Sequence, residues 1–106
     1  MVFQLGTPLL DACVLAILCR EDAYGYILTQ SVKDVINISE STLYPVLRKL
    51  QQDKCLTAYD KPYQGRNRRY YKITDMGKER CEHYTSAWND YKVKVDNILT
   101  GGVKVG

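Results

Sequence analysis

Ser39-Glu40-Ser41-Thr42-Leu43-Tyr44-Pro45-Val46-Leu47-Arg48-Lys49-Leu50-Gln51-Gln52-Asp53 decides the fold, because it divides into one face for a core and one for a partner. At helical spacing Leu43, Val46, Leu47 and Leu50 fall at i, i+3, i+4 and i+7, a stripe that packs inward. The opposite face carries Ser41, Thr42, Tyr44, Arg48, Lys49 and Gln52, with no carboxylate among those six. Short hydroxyls at the start of a helix, followed by cations and an amide, suit an N-terminal end that enters a major groove while Arg and Lys reach base edges or phosphates. An amphipathic surface helix with no partner has the same pattern. A cap at Ser41 would place Pro45 in the first turn, where it costs little hydrogen bonding.

Upstream, Thr7-Pro8 reads as a cap and first helical residue, and Leu9 to Cys19 is apolar at almost every position except Asp11, as in a helix central to a core. Asp22 is expected to cap a second helix from Ala23 to about Ile36, with Leu28, Val32 and Val35 inward. Gly25 between Tyr24 and Tyr26 leaves room for another backbone, and two phenols with free N–H groups at a helix start could hold a phosphate or simply pack. Asn37-Ile38 is a short connection, so the second and third helices form a helix-turn-helix.

Downstream of Lys54-Cys55 the period changes to about 2. Leu56 to Asp60 and Arg68 to Ile73 read as strands around a loop, Lys61 to Asn67, containing Pro and Gly. Between Lys61 and Lys72 stand five cations (Lys61, Arg66, Arg68, Arg69, Lys72) and no acid, so the hairpin tip is basic. Three helices and a basic hairpin is the order of a winged helix, whose wing lies along the DNA backbone or minor groove. Thr74 or Asp75 then caps a last helix running to about Thr100, stopped by Gly101-Gly102. In it Cys81, Tyr84, Trp88, Tyr91, Val95 and Ile98 alternate at spacings of 3 and 4, a seam that nothing earlier in the chain is expected to cover and that therefore reads as a dimer interface. An indole beside Tyr84 and Tyr91 is bulkier than the residues that close a two-helix interface, so Trp88, Tyr84 and Tyr91 either hold a flat compound between subunits or fill the interface themselves.

The chain has 106 residues, 25% of them charged, and a net charge of +3, which fits one domain with a modest core and is too mild to announce a nucleic-acid partner by itself. Cys13, Cys19, Cys55 and Cys81 are widely spaced and make no C-x-x-C pair, so packing thiols in a cytoplasmic protein are expected, without metal or cofactor. Redox sensing through Cys55 or Cys81 lacks a resolving partner in the sequence. The longest apolar run, Ala12 to Cys19, is far below the roughly 20 residues of a membrane span. His83, the single histidine, has Glu79 and Glu82 nearby but no catalytic pattern around it, and no enzyme is expected.

Tyr24-Gly25-Tyr26, then Ser41 to Leu50, then Gly65-Arg66-Asn67-Arg68-Arg69-Tyr70-Tyr71-Lys72-Ile73-Thr74 with Gly77 resemble the signature set of the PadR family of bacterial transcriptional regulators, from about Leu9 to Gly77. The single C-terminal helix resembles the small PadR subfamily. That resemblance implies a homodimer joined through this helix, a pseudo-palindromic double-stranded operator and, as in multidrug-sensing members, a planar aromatic ligand beside Trp88. Two positions depart from the family pattern: Lys54 stands where a Gly is usual after the third helix, and Asn67 where a cation or Gly is common.

The expected fold is mainly α with a small β-hairpin: a winged helix-turn-helix over 1–74, then a C-terminal dimerisation helix and short tail over 75–106. The expected DNA contacts are Tyr24, Ser39, Ser41, Thr42, Tyr44, Arg48, Lys49, Lys61, Arg66, Arg68 and Arg69, in a dimeric repressor released by a small aromatic ligand. A winged-helix module that binds protein instead of DNA is the alternative, since fold alone does not fix function.

Overall fold

The structure is a computed structural model and describes residues 7–101. The capping role expected of the Thr7 side chain and the stop expected of Gly102 lie outside what it describes. The order is α1 (Thr7–Arg20), β1 (Ala23–Tyr24), α2 (Gly25–Lys33), α3 (Glu40–Gln52), β2 (Leu56–Tyr63), β3 (Arg66–Ile73) and α4 (Asp75–Thr100). The strands form one antiparallel sheet in the order β1-β3-β2.

α1 is the hub. Its Leu10, Val14, Leu15 and Leu18 are buried among Leu28 and Val32 of α2, Leu43, Val46, Leu47 and Leu50 of α3, and Tyr71 and Ile73 of the sheet. Fully burying such an aliphatic side chain contributes about 1.5–3 kcal/mol, so the stripe on α3 anchors that helix and leaves its opposite side to solvent. Asp11 is buried with them at 2% exposure. It accepts a hydrogen bond from the Tyr84 hydroxyl at 3.3 Å, and burial, partly offset by the Lys49 charge, pushes its carboxyl above the ordinary range.

Several sequence expectations change. Asp22 does not cap α2: the capping position is Tyr24, and the Asp22 carboxylate instead accepts the Tyr59 hydroxyl at 2.6 Å, which pushes that phenol up to about 12. α2 ends at Lys33, three residues early, and Val35 is 73% exposed while Ile36 and Ile38 pack on the core in its place. The cap of α3 is Ser39, so Pro45 is the sixth helical residue and the Ser41 carbonyl loses its partner one turn on. The wing has no seven-residue loop. Its strands pair out to Tyr63 opposite Arg66, and the turn is Gln64-Gly65 alone, with φ of 51° and 78° as a two-residue hairpin turn requires.

α3 ends in a Schellman motif: the Lys54 N–H donates to the Gln51 carbonyl at 3.0 Å and the Cys55 N–H to the Leu50 carbonyl at 2.8 Å. Lys54 takes the left-handed position, φ 63°. Thr74 then caps α4. Its hydroxyl accepts from the Gly77 N–H at 3.0 Å and donates to the Lys54 carbonyl at 2.7 Å, while its own N–H donates to the Cys55 carbonyl at 3.0 Å. A Cβ at Gly77 would lie 2.3 Å from that same Cys55 oxygen, so only glycine permits the approach. α4 ends at Gly101, φ 69°.

The seam on α4 is covered in part by its own chain, contrary to expectation. Cys81 is buried and Tyr84 half-buried against α1, whereas Trp88, Tyr91 and Ile98 are 38%, 50% and 73% exposed.

A left-handed non-glycine residue costs roughly 1–2 kcal/mol, and glycine there costs about 0.5–1 kcal/mol in chain entropy. Lys54→Gly should therefore raise unfolding stability by on the order of 0.5–1 kcal/mol, read as a higher urea midpoint at unchanged slope.

Candidate nucleic-acid interface

Three separated motifs meet in one open groove of about 500 Å³, lined among others by Tyr24, Gly25, Glu40, Tyr44, Tyr63 and Arg68. It lies where the start of α2, the first turns of α3 and the wing converge. The pairing of Tyr24 with Tyr70 places Tyr24 on the sheet face away from the core, alongside Tyr59, Lys61, Tyr63, Arg66 and Arg68 by strand alternation.

That face is an aromatic and cationic layer. Tyr59 stacks on Tyr70 at 5.6 Å, and Tyr24 meets Tyr70 edge-on at 5.3 Å. The Arg68 guanidinium lies 4.8 Å from the centre of the Tyr24 ring and 5.8 Å from that of Tyr63, and the Lys61 ammonium lies 5.5 Å from Tyr70. Such contacts contribute about 0.5–1 kcal/mol each where exposed. They hold the cations in place without consuming their charge. The Arg68 Nε is buried without a hydrogen-bond partner among the described residues.

At the start of α3 the Ser39 hydroxyl is 2.8 Å from that of Ser41 and 3.3 Å from that of Thr42, a chain of rotatable donors and acceptors in solvent. Tyr44 lies across Gly25: a Cβ there would come within 2.8 Å of the ring. Gly25 thus admits a side chain from α3, where the sequence suggested a backbone. The Tyr44 hydroxyl donates to Glu40 at 2.9 Å, and this bond raises its pKa.

Of the sequence-derived candidates, Tyr24, Tyr44, Arg68 and Arg69 line the groove. Ser39 and Thr42 line a second recess between α2 and α3. Ser41, Lys61 and Arg66 are exposed outside both. Arg48 and Lys49 are exposed but diverge: the charge of Arg48 acts on the Tyr71 phenol of the sheet, and that of Lys49 on Asp11 of α1. The face is also less free of acid than its sequence suggests. Glu40 lines the groove, and Asp60 is 3.7 Å from Arg69. Glu40, Tyr59, Tyr63 and Tyr70 escaped the sequence reading; the alternation of Tyr59, Lys61 and Tyr63 would have shown two of them once β2 was extended to Tyr63.

Trp88 and Tyr91, the candidate ligand-binding pair with Tyr84, have ring centres 6.1 Å apart on the uncovered part of α4. Among the described residues no three His, Cys, Asp or Glu side chains cluster as metal ligands would, and no helix is long and apolar enough to cross a membrane.

A model of the transcriptional regulator PadR-like family matches residues 14–83. An uncharacterised protein of Lysinibacillus sphaericus is 31% identical over 97 residues, which cover 87% of this chain and 89% of the relative. The crystal structure of smu.1704 from Streptococcus mutans UA159 superposes with a TM-score of 0.91 at 37% identity, over 100% of both chains. A PadR-like transcriptional regulator from Bacillus cereus strain ATCC 14579 superposes with a TM-score of 0.79 at 33% identity, over 86% of this chain and 91% of that one.

Proposed function

We propose, for a chain that belongs to the transcriptional regulator PadR-like family, that it is a dimeric, sequence-specific DNA-binding repressor of the cytoplasm. Residues 1–74 form the reading module and residues 75–106 the dimerisation arm. The observation that carries this reading is the convergence of the α3 start, Tyr24 and Arg68 on one groove. Ser41, Thr42, Tyr44 and Arg48 enter the major groove, with Ser39 and Lys49 on its rims, and the wing places Lys61, Arg66, Arg68 and Arg69 on backbone or minor groove. Glu40, held by Tyr44, is an acceptor suited to a cytosine amino group, or a repulsive element against misplaced phosphate.

The dimer rests on the stripe that α1 leaves bare: Trp88, Tyr91, Val95 and Ile98, continued from Cys81 and Tyr84. A second copy is the partner that covers such a stripe by symmetry. A planar aromatic compound, apolar or cationic, lodges between the Trp88 rings of the two copies and shifts the spacing of the reading helices. This weakens operator binding through a coupling of about 1–3 kcal/mol.

Selection from random duplexes should yield a pseudo-palindrome. Arg48→Ala should cost about 1–3 kcal/mol with relaxed preference at one position, and uniform loss on all sequences would make Arg48 a phosphate contact instead. Failure to bind any selected duplex at low salt would refute DNA binding.

Replacing Arg66, Arg68 and Arg69 together by Ala should flatten the slope of log K against log salt by about 0.9 for each phosphate no longer neutralised. An unchanged slope would turn the wing away from the DNA.

Truncation before Tyr84 should leave a monomer or an unfolded chain on a sizing column, and a stable truncated dimer would remove α4 from the interface. In the full-length protein, flat dyes should quench the fluorescence of Trp88, the single Trp, and release operator together. Quenching without release, or no quenching, leaves a repressor controlled in another way.

A further inference from the structure

The fold resolves the missing partner of Cys81. Cys19, in the last turn of α1, is exposed, and Cys81, in the second turn of α4, is buried. They stand 62 positions apart in the chain, yet both line one surface hollow of about 580 Å³ between the two helices, with Lys78, Glu82, Thr85, Ser86 and Asn89 around them. The two thiols share that hollow, and burial first, then the neighbouring Cys19 thiol, push the Cys81 thiol up. Cys13 and Cys55 line no part of this hollow.

We infer that Cys19 and Cys81 are a redox pair, oxidised by a small hydroperoxide to a reversible intrachain disulfide that pins the start of α4 to the end of α1. The division of labour follows from access. Peroxide from solvent meets Cys19 first. The Cys19 thiolate attacks one peroxide oxygen, an S–O bond forms as the O–O bond breaks, and the departing oxygen takes up a proton to leave as water. The Cys81 sulfur then attacks the Cys19 sulfenic sulfur, an S–S bond forms, the S–O bond breaks, and a second water leaves with the Cys81 proton. Two thiols lose two electrons and two hydrogens, and one hydrogen peroxide becomes two waters. A buried thiol in the same hollow keeps the sulfenic acid from climbing to the irreversible oxidation states.

The bridge would act at a sensitive joint. α1 is the hub of the core, and Cys81 sits one turn before Tyr84, the last residue of α4 that packs on the core. Locking Cys81 to α1 fixes the direction in which the exposed part of α4 leaves the domain. This chemistry involves the thiols alone and stands whether or not the chain binds DNA.

The experiment treats the full-length protein with hydrogen peroxide, caps free thiols and maps peptides without reduction. Expected are an intact mass lower by two hydrogens, a Cys19–Cys81 linked peptide, its loss on adding dithiothreitol, and its persistence in a Cys13→Ser/Cys55→Ser double variant. In Cys81→Ser the Cys19 sulfur should instead accumulate as sulfinic or sulfonic acid. The inference is overturned if the wild-type protein gives those acids at Cys19 with Cys81 still free, if Cys19 links only between chains, or if no thiol reacts at peroxide concentrations that oxidise a free cysteine.

Discussion

One hydroxyl, that of Thr74, ties together the four parts whose relative placement matters. It joins the carbonyl that ends the α3 cap to the N–H that begins α4, and the same residue's backbone N–H closes the wing onto Cys55. Arg80 adds a second link one turn on, its guanidinium 2.9 Å from the Asp53 carboxylate. The end of α3, both ends of the hairpin and the start of α4 are therefore one hydrogen-bonded knot. This explains why Gly77 is needed and why Lys54 tolerates a left-handed backbone: the surrounding bonds over-determine both positions.

The groove itself follows a logic of preorganisation. Exposed Arg and Lys side chains lose about 1.5–2 kcal/mol of rotamer freedom when a partner fixes them. Here Arg68 is already held between Tyr24 and Tyr63, and Lys61 over Tyr70, in the free protein. The aromatic layer belongs to the short strand β1 as much as to the hairpin, because Tyr24 is its second residue and also the cap of α2. One residue thus joins the start of α2 to the sheet.

What the sequence revealed and what it concealed divide along the range of the interactions. The helical stripe of α3, the apolar run of α1 and the Thr74 cap are local patterns, and they were legible with nearly correct bounds. The polar face of α3 and the cations of the hairpin were legible too, because each motif carries its own chemistry. β1 was not legible. A two-residue strand has no period to detect, and it exists only because β3 offers its free edge. Val35 was assigned inward by extending the α2 period past Lys33, where the chain turns and Ile36 takes its place. Pro and Gly between Lys61 and Arg66 suggested a loop, but Pro62 sits on the outer strand β2, where its missing N–H breaks no ladder, and Gly65 serves a tight turn. The cover over Cys81 and Tyr84, and the hollow that Cys19 and Cys81 share, depend on how α1 meets α4, which no window of sequence contains.

The buried carboxylate of Asp11 stands where α1, α3 and α4 meet. It is the one charged side chain in the core cluster among the described residues, and it accepts from Tyr84 on α4 while lying in the field of Lys49 on α3 and of Arg80. One of its oxygens has no hydrogen-bond partner among the described residues. Its carboxyl is raised above the ordinary range because burial outweighs those cations, so its folded-state pKa exceeds the unfolded one. Ionised Asp11 therefore costs stability at neutral pH, and the cost disappears as pH falls through the raised value. A residue kept at such a cost on the hub helix serves contacts beyond packing. Loss of the Tyr84 hydroxyl would take from this buried carboxylate the hydrogen bond that partly offsets its burial.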